Sequence, residues 1–170
     1  MPNIPGPGEA APYYSLYIEK AGGEDVLATL EAQLDEMDAY CSTISEEGSL
    51  HRYAPGKWSI REVLNHINDT ERAFVFRALW FARGFTDPLP GYDQDIAAAG
   101  AKADHISWAA QVAEWRVIRA STIALFRNLP AEAWSARGIA SGVEFTVNAL
   151  AFITAGHVTH HLQILRDRYR

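Results

Sequence analysis

A chain of 170 residues, 48% of them hydrophobic, has the length of one ordinary domain and can bury a core without covalent staples. Its formal net charge of -6 opposes a phosphate backbone, which excludes nucleic acid as an expected partner, and its single cysteine, Cys41, leaves neither an internal disulfide nor a thiolate metal cage. No apolar run approaches bilayer length and the opening MPNIPGPGEAAPYY carries no export signature, so a cytoplasmic protein away from the membrane is expected, with any metal held by N and O ligands.

Residues 1–22 read as a Pro/Gly-rich arm on a single domain spanning 1–170, lying over the surface and docking through Tyr13, Tyr14 and Tyr17. A first helix is predicted over about Glu24 to Ile44, where Val26 or Leu27, then Leu30, Leu34, Met37 and Cys41 recur at three- and four-residue intervals. After the Pro55-Gly56 turn, Ser59 and Glu62 form a capping box that opens a second helix, running to about Gly84. Phe85 to Ile106, with Pro88, Pro90, Gly91 and Gly100, reads as a long connection. Ser107 caps a third helix that Pro130 ends, with Trp108, Val112, Trp115, Arg119, Thr122 and Phe126 on one stripe.

The stretch PAEAWSARG leads to a fourth helix, Thr146 to about Tyr169, whose Arg166, Arg168 and Arg170 suit the negative end of a helix dipole. Strand signals are nearly absent, so the expected fold is all-α, a four-helix bundle. A short first loop favours antiparallel neighbours, and the long connection allows a parallel return, which together give up-down-down-up topology.

The candidate site lies in GHVTHHLQIL, Gly156 to Leu165. Residues four apart on a helix are separated by only about 40° of rotation, so His157 and His161 project side by side. Leu150, Thr154, Ile164 and Leu165 share their stripe, which marks it as inward, while Phe152, Thr159, Gln163 and Arg166 are expected to point away. Alone, the pair is compatible with a hydrogen-bonded core couple. His66 adds a third inward imidazole from the second helix, on the stripe of Val63, Thr70, Phe74 and Phe81. Three histidines from two helices can occupy three corners of a tetrahedron and leave the fourth open, as catalytic zinc sites do; nickel also suits imidazole.

His160 falls at the stripe's edge, as a rim residue or a donor behind the ligands, and Asp69 can orient a ligand ring by accepting its free N–H. His51 and His105 sit in predicted loops. Arg77, on the His66 stripe, and Arg119, amid apolar residues of the third helix, must each pair or reach water: either can fork onto a substrate carboxylate or pair with Asp93 or Asp95.

In order along the chain, YAPGKWSIREVLNHINDTERAF, PLPGYDQD and ALAFITAGHVTHHLQILRDRY resemble the DinB/YfiT-like superfamily, over most of the chain from about Tyr13 onward. The resemblance implies an up-down-down-up bundle, frequently dimeric, with a divalent metal on His66, His157 and His161. It also implies thiol transferase or isomerase chemistry with a low-molecular-weight thiol such as mycothiol or bacillithiol, or metal-dependent hydrolysis.

The motif H-V-T-H-H lacks the glutamate that serves as general base in HExxH proteases. A coordinating thiol needs no such base, so the first expectation is a metal-dependent thiol S-transferase or related conjugating enzyme acting on a small molecule. The alternatives are a hydrolase using metal-bound water and a non-catalytic metal-binding stress-response protein. A homodimer is compatible with an outward Phe152.

Overall fold

The computed structural model describes residues 2–169. Helix α1 is Ser15–Lys20, α2 Val26–Cys41, α3 Ile60–Ala82, α4 Gln94–Ala101 and α5 Trp108–Arg127. Strands β1 (Arg137–Ala140) and β2 (Val143–Thr146) follow, and then α6 (Val147–Arg168). The long helices α2, α3, α5 and α6 are those the sequence predicts. Local chemistry sets their starts: Ser59 Oγ accepts from the Glu62 N–H at 3.1 Å while Glu62 Oε2 accepts from the Ser59 N–H at 2.8 Å. Asp25, Ser107 and Thr146 cap α2, α5 and α6 by accepting from the N–H groups of Ala28, Ala110 and Ala149, without the reciprocal bond. Arg170 lies outside the described residues.

Three elements depart from the sequence reading. The supposed loop contains α4, capped by Asp93, whose carboxylate accepts from the N–H groups of Asp95 and Ile96. None of its residues is buried, so it carries no apolar stripe by which to be found. Secondly, β1 and β2 form an antiparallel hairpin closed by Ser141 and Gly142, both with positive φ, 54° and 75°. That two-residue turn matches the right-handed twist of its strands. Leu89 extends the hairpin on the far side, donating to the Ile139 carbonyl at 2.9 Å and accepting from the Ser141 N–H at 3.2 Å. Thirdly, Phe152 does not face outward; it is 1% exposed. Helix α6 packs against α3, α1 and α2, with β2 and the 3-10 turn Ala131–Ser135 at its start, and every residue from Val147 to Val158 is buried.

Tyr14 and Tyr17 pack against the bundle, whereas Tyr13, expected to dock with them, is 74% exposed. Helix α1 lies on α6 at Gly156, where an added Cβ would overlap the Tyr17 carbonyl. The apolar interior divides into two clusters, one around Phe74, Phe126, Phe152 and Ile153, the other around Leu64, Ile67, Trp115 and Leu162. Between them runs a buried polar network from all four long helices. Arg119 donates to Glu71 at 2.7 Å and to Gln33 Oε1 at 2.6 Å, and Gln33 Nε2 donates to the Ala155 carbonyl at 2.8 Å. Arg119 thus pairs with Glu71 and not with Asp93 or Asp95, because its helix faces α3 across the interior.

Candidate metal centre

His66 on α3 and His157 and His161 on α6 come together. The Nε2 of His157 lies 3.1 Å from the Nε2 of His66 and 3.1 Å from that of His161, and one nitrogen from each ring falls within 4.8 Å of the others. Ligand nitrogens about 2.0–2.1 Å from a tetrahedral ion sit only slightly further apart than this. Three ring nitrogens facing one another cannot all be satisfied by sharing protons, so the donor set fits a divalent cation. Burial disfavours the charged ring in each case: His66 is pushed down to about 4, His161 to about 3 and His157 well below the ordinary imidazole range. The neighbouring imidazoles add to that effect, so all three rings are neutral and ready to ligate at pH 7.

The rings are held from behind. Thr70 Oγ1 is 3.3 Å from His66 Nδ1, Trp58 covers the His66 ring at 4.9 Å, and Tyr17 meets the edge of His157 at 5.5 Å. Asp69, expected to orient a ligand ring, turns instead to Arg72 at 3.5 Å. Thr70 occupies that place because the i+4 residue shares the stripe of His66, whereas the i+3 carboxylate is carried toward the helix edge. His160 is partly buried and stands outside the trio, its ring at 5.5 Å from Tyr17 and 5.1 Å from His161. His51 and His105 are exposed and take no part in the trio.

Two openings reach the trio. One is a cavity of about 330 Å³ that touches His66 and His157, with Tyr13, Tyr14 and Tyr17 of the arm on one wall and Thr70, Phe74 and Arg77 of α3 on the other. Burial pushes the Tyr17 hydroxyl up to about 12, so it is a neutral donor. The other is a depression of about 280 Å³ that touches His161, with Tyr53, Lys57, Trp58 and Tyr169 around it. Sequence reasoning took Tyr13, Tyr14 and Tyr17 only as docking residues of the arm, and it missed Tyr53, Trp58, Ser141 and Tyr169 as neighbours of the site. Thr70 was legible on the His66 stripe, though not as the partner of its ring.

A helical bundle with three imidazoles converging between its helices defines a class of protein able to hold a divalent ion with a coordination place to spare. Residues 29–165 match the family model of the DinB superfamily, and the chain belongs to that superfamily. Among solved structures the chain resembles YfiT from Bacillus subtilis, with 16% identity and a TM-score of 0.68 over 95% of this chain and 91% of that one. YfiT is described as a probable metal-dependent hydrolase with an unusual four-helix bundle topology. At that identity the likeness establishes the shared fold. None of the curated proteins compared with the chain matches it.

Proposed function

We propose that the protein is a divalent-metal-dependent enzyme in which His66, His157 and His161 hold zinc or nickel, and that it transfers a low-molecular-weight thiol to a small-molecule substrate. A divalent ion held by His66, His157 and His161 would supply Lewis acidity, which favours the thiolate form of a thiol. The observation that carries the reading is three neutral imidazoles reached from two sides, an arrangement that gives two substrates separate approaches. Neither opening is lined by Asp or Glu among the described residues, which favours a nucleophile that requires no carboxylate base. Thr70, by accepting from His66 Nδ1–H, fixes the ring with Nε2 inward; Trp58 and Tyr17 limit water. Hydrolysis is the second reading, favoured by the description of YfiT.

The proposal extends to an up-down-down-up helix order, one domain over residues 1–170, a cytoplasmic setting and a homodimer. The buried Phe152 contributes nothing to a dimer; exposed apolar side chains such as Phe76, Ile96 and Val117 are available to one. Among the described residues no helix is long and apolar enough to cross a membrane.

Metal content by elemental analysis tests the site. His66→Ala, His157→Ala and His161→Ala are each expected to lose the ion, while His51→Ala and His105→Ala keep it; equal content in all five refutes the ligand set. With cobalt in the site, 2-mercaptoethanol is expected to raise a thiolate-to-cobalt charge-transfer band. No band, together with turnover of a simple ester, would replace transfer by hydrolysis.

A further inference from the structure

Three arginines of the described residues are buried, and two of them have a carboxylate: Arg61 donates to Glu46 at 2.5 Å and Arg119 to Glu71 at 2.7 Å. Arg77, 5% exposed, has none within ion-pair distance among the described residues. Its partners are neutral oxygens: it donates to Ser141 Oγ at 2.9 Å and to the Pro90 carbonyl at 3.4 Å, with the Tyr14 hydroxyl beside it. A guanidinium cannot shed its charge, so an unpaired buried one is costly unless something else neutralises it. The hairpin turn presents Ser141 to it from a left-handed backbone conformation. Arg77 also lines the same cavity as His66 and His157.

We propose that this cavity is an anion subsite in which Arg77, flanked by Ser141 and Tyr14, binds the carboxylate of a small organic acid whose reacting end reaches His66 and His157. The carboxylate subsite stands on Arg77 alone; the placement of the reacting end rests on the metal reading above. His66 and Arg77 are three helical turns apart on one face, about 16 Å of rise, and the long arginine side chain leans back toward the helix start. The Arg77 guanidinium carbon is 6.0 Å from the Phe74 ring, and that ring is 5.9 Å from His157. A ligand joining the two ends therefore runs along Phe74, opposite the tyrosines of the arm. An aromatic ring or short apolar chain between carboxylate and reacting atom suits those walls and the 330 Å³ volume. The substrate class is thus an arylalkanoic or similar extended acid.

Calorimetric titration with 3-phenylpropanoate and its uncharged amide tests this. The zinc-loaded protein is expected to bind the acid about tenfold or more tightly than the amide. Arg77→Met is expected to bring that ratio to about one with zinc content unchanged, and with a thermal midpoint equal to or above that of the parent, since it removes an unpaired buried charge. His161→Ala is expected to lose zinc yet keep the preference for the acid. A preference that survives Arg77→Met, or that vanishes with zinc in His161→Ala, overturns the subsite, the second result placing the acid on the metal. So does failure of the parent to bind millimolar acid, or an Arg77→Met variant that unfolds or melts lower. Retention of zinc by His161→Ala would count against the metal reading alone.

Discussion

The Arg119–Glu71 pair is the sharpest test of what holds the helices around the site. Both side chains are almost completely buried, at 0% and 1% exposure, and they join α5 to α3 while Gln33 ties them to α2 and the α6 carbonyl of Ala155. Glu71→Ala leaves the Arg119 guanidinium inside with only Gln33 and the Leu30 carbonyl as acceptors. Breaking a buried pair by removing one partner costs about 3–5 kcal/mol. For a chain of this length each kcal/mol shifts the midpoint by about 2–4 °C, so a fall of roughly 10 °C is expected. The pair also carries two buried atoms with no hydrogen-bond partner among the described residues, Glu71 Oε1 and Arg119 Nε, each a standing cost of about 1–3 kcal/mol. The double variant Glu71→Leu/Arg119→Met is therefore expected within about 1 kcal/mol of the parent, or above it. Thermal and urea unfolding followed by tryptophan fluorescence read the midpoint and the free-energy changes. A Glu71→Ala variant that melts with the parent, or a double variant worse than either single change, would refute the reasoning.

Gly156→Ala is expected to lift α1 from α6, because the new Cβ overlaps the Tyr17 carbonyl; overpacking of this kind costs about 1–3 kcal/mol. Trypsin should then cut faster at Lys20, and an unchanged cleavage rate would contradict the docking. Burial pushes the Cys41 thiol up to about 12, so Ellman's reagent at pH 8 should modify it only as the protein unfolds. Burial likewise pushes the hydroxyls of Tyr17, Tyr40 and Tyr169 up to about 12. The folded chain keeps these four protons at pH values where the unfolded chain loses them. Their contribution is complete below about pH 9 and is lost as pH rises toward 12. The urea midpoint should accordingly be lower at pH 10.5 than at pH 8; equal midpoints would argue against it.

The four long helices, the caps at Ser59 and Ser107 and the inward stripe of His66 were legible in the sequence, because each depends on residues within about four positions of one another. A capping box is two side chains and two N–H groups of one turn, and an apolar stripe is the rotation of one helix. The hairpin was missed although Ser141-Gly142 is a turn signal, since strands of four residues carry little pattern and Leu89, which pairs with Ala140, comes from a distant loop. Helix α4 buries nothing and so had no periodicity to read.

Sequence alone determined which residues share a face: His157 with His161, His66 with Thr70 and Arg77, Arg119 with Trp115. Tertiary structure alone decided what each face meets. It put Phe152 inside because α6 is enclosed by α1, α2 and α3, gave Arg119 to Glu71 across 48 positions of chain, and left Arg77 without a carboxylate beside the histidines. Faces follow from the geometry of one hydrogen-bonded helix, whereas partners follow from how separate helices pack, and that is settled by the fit of all the faces together.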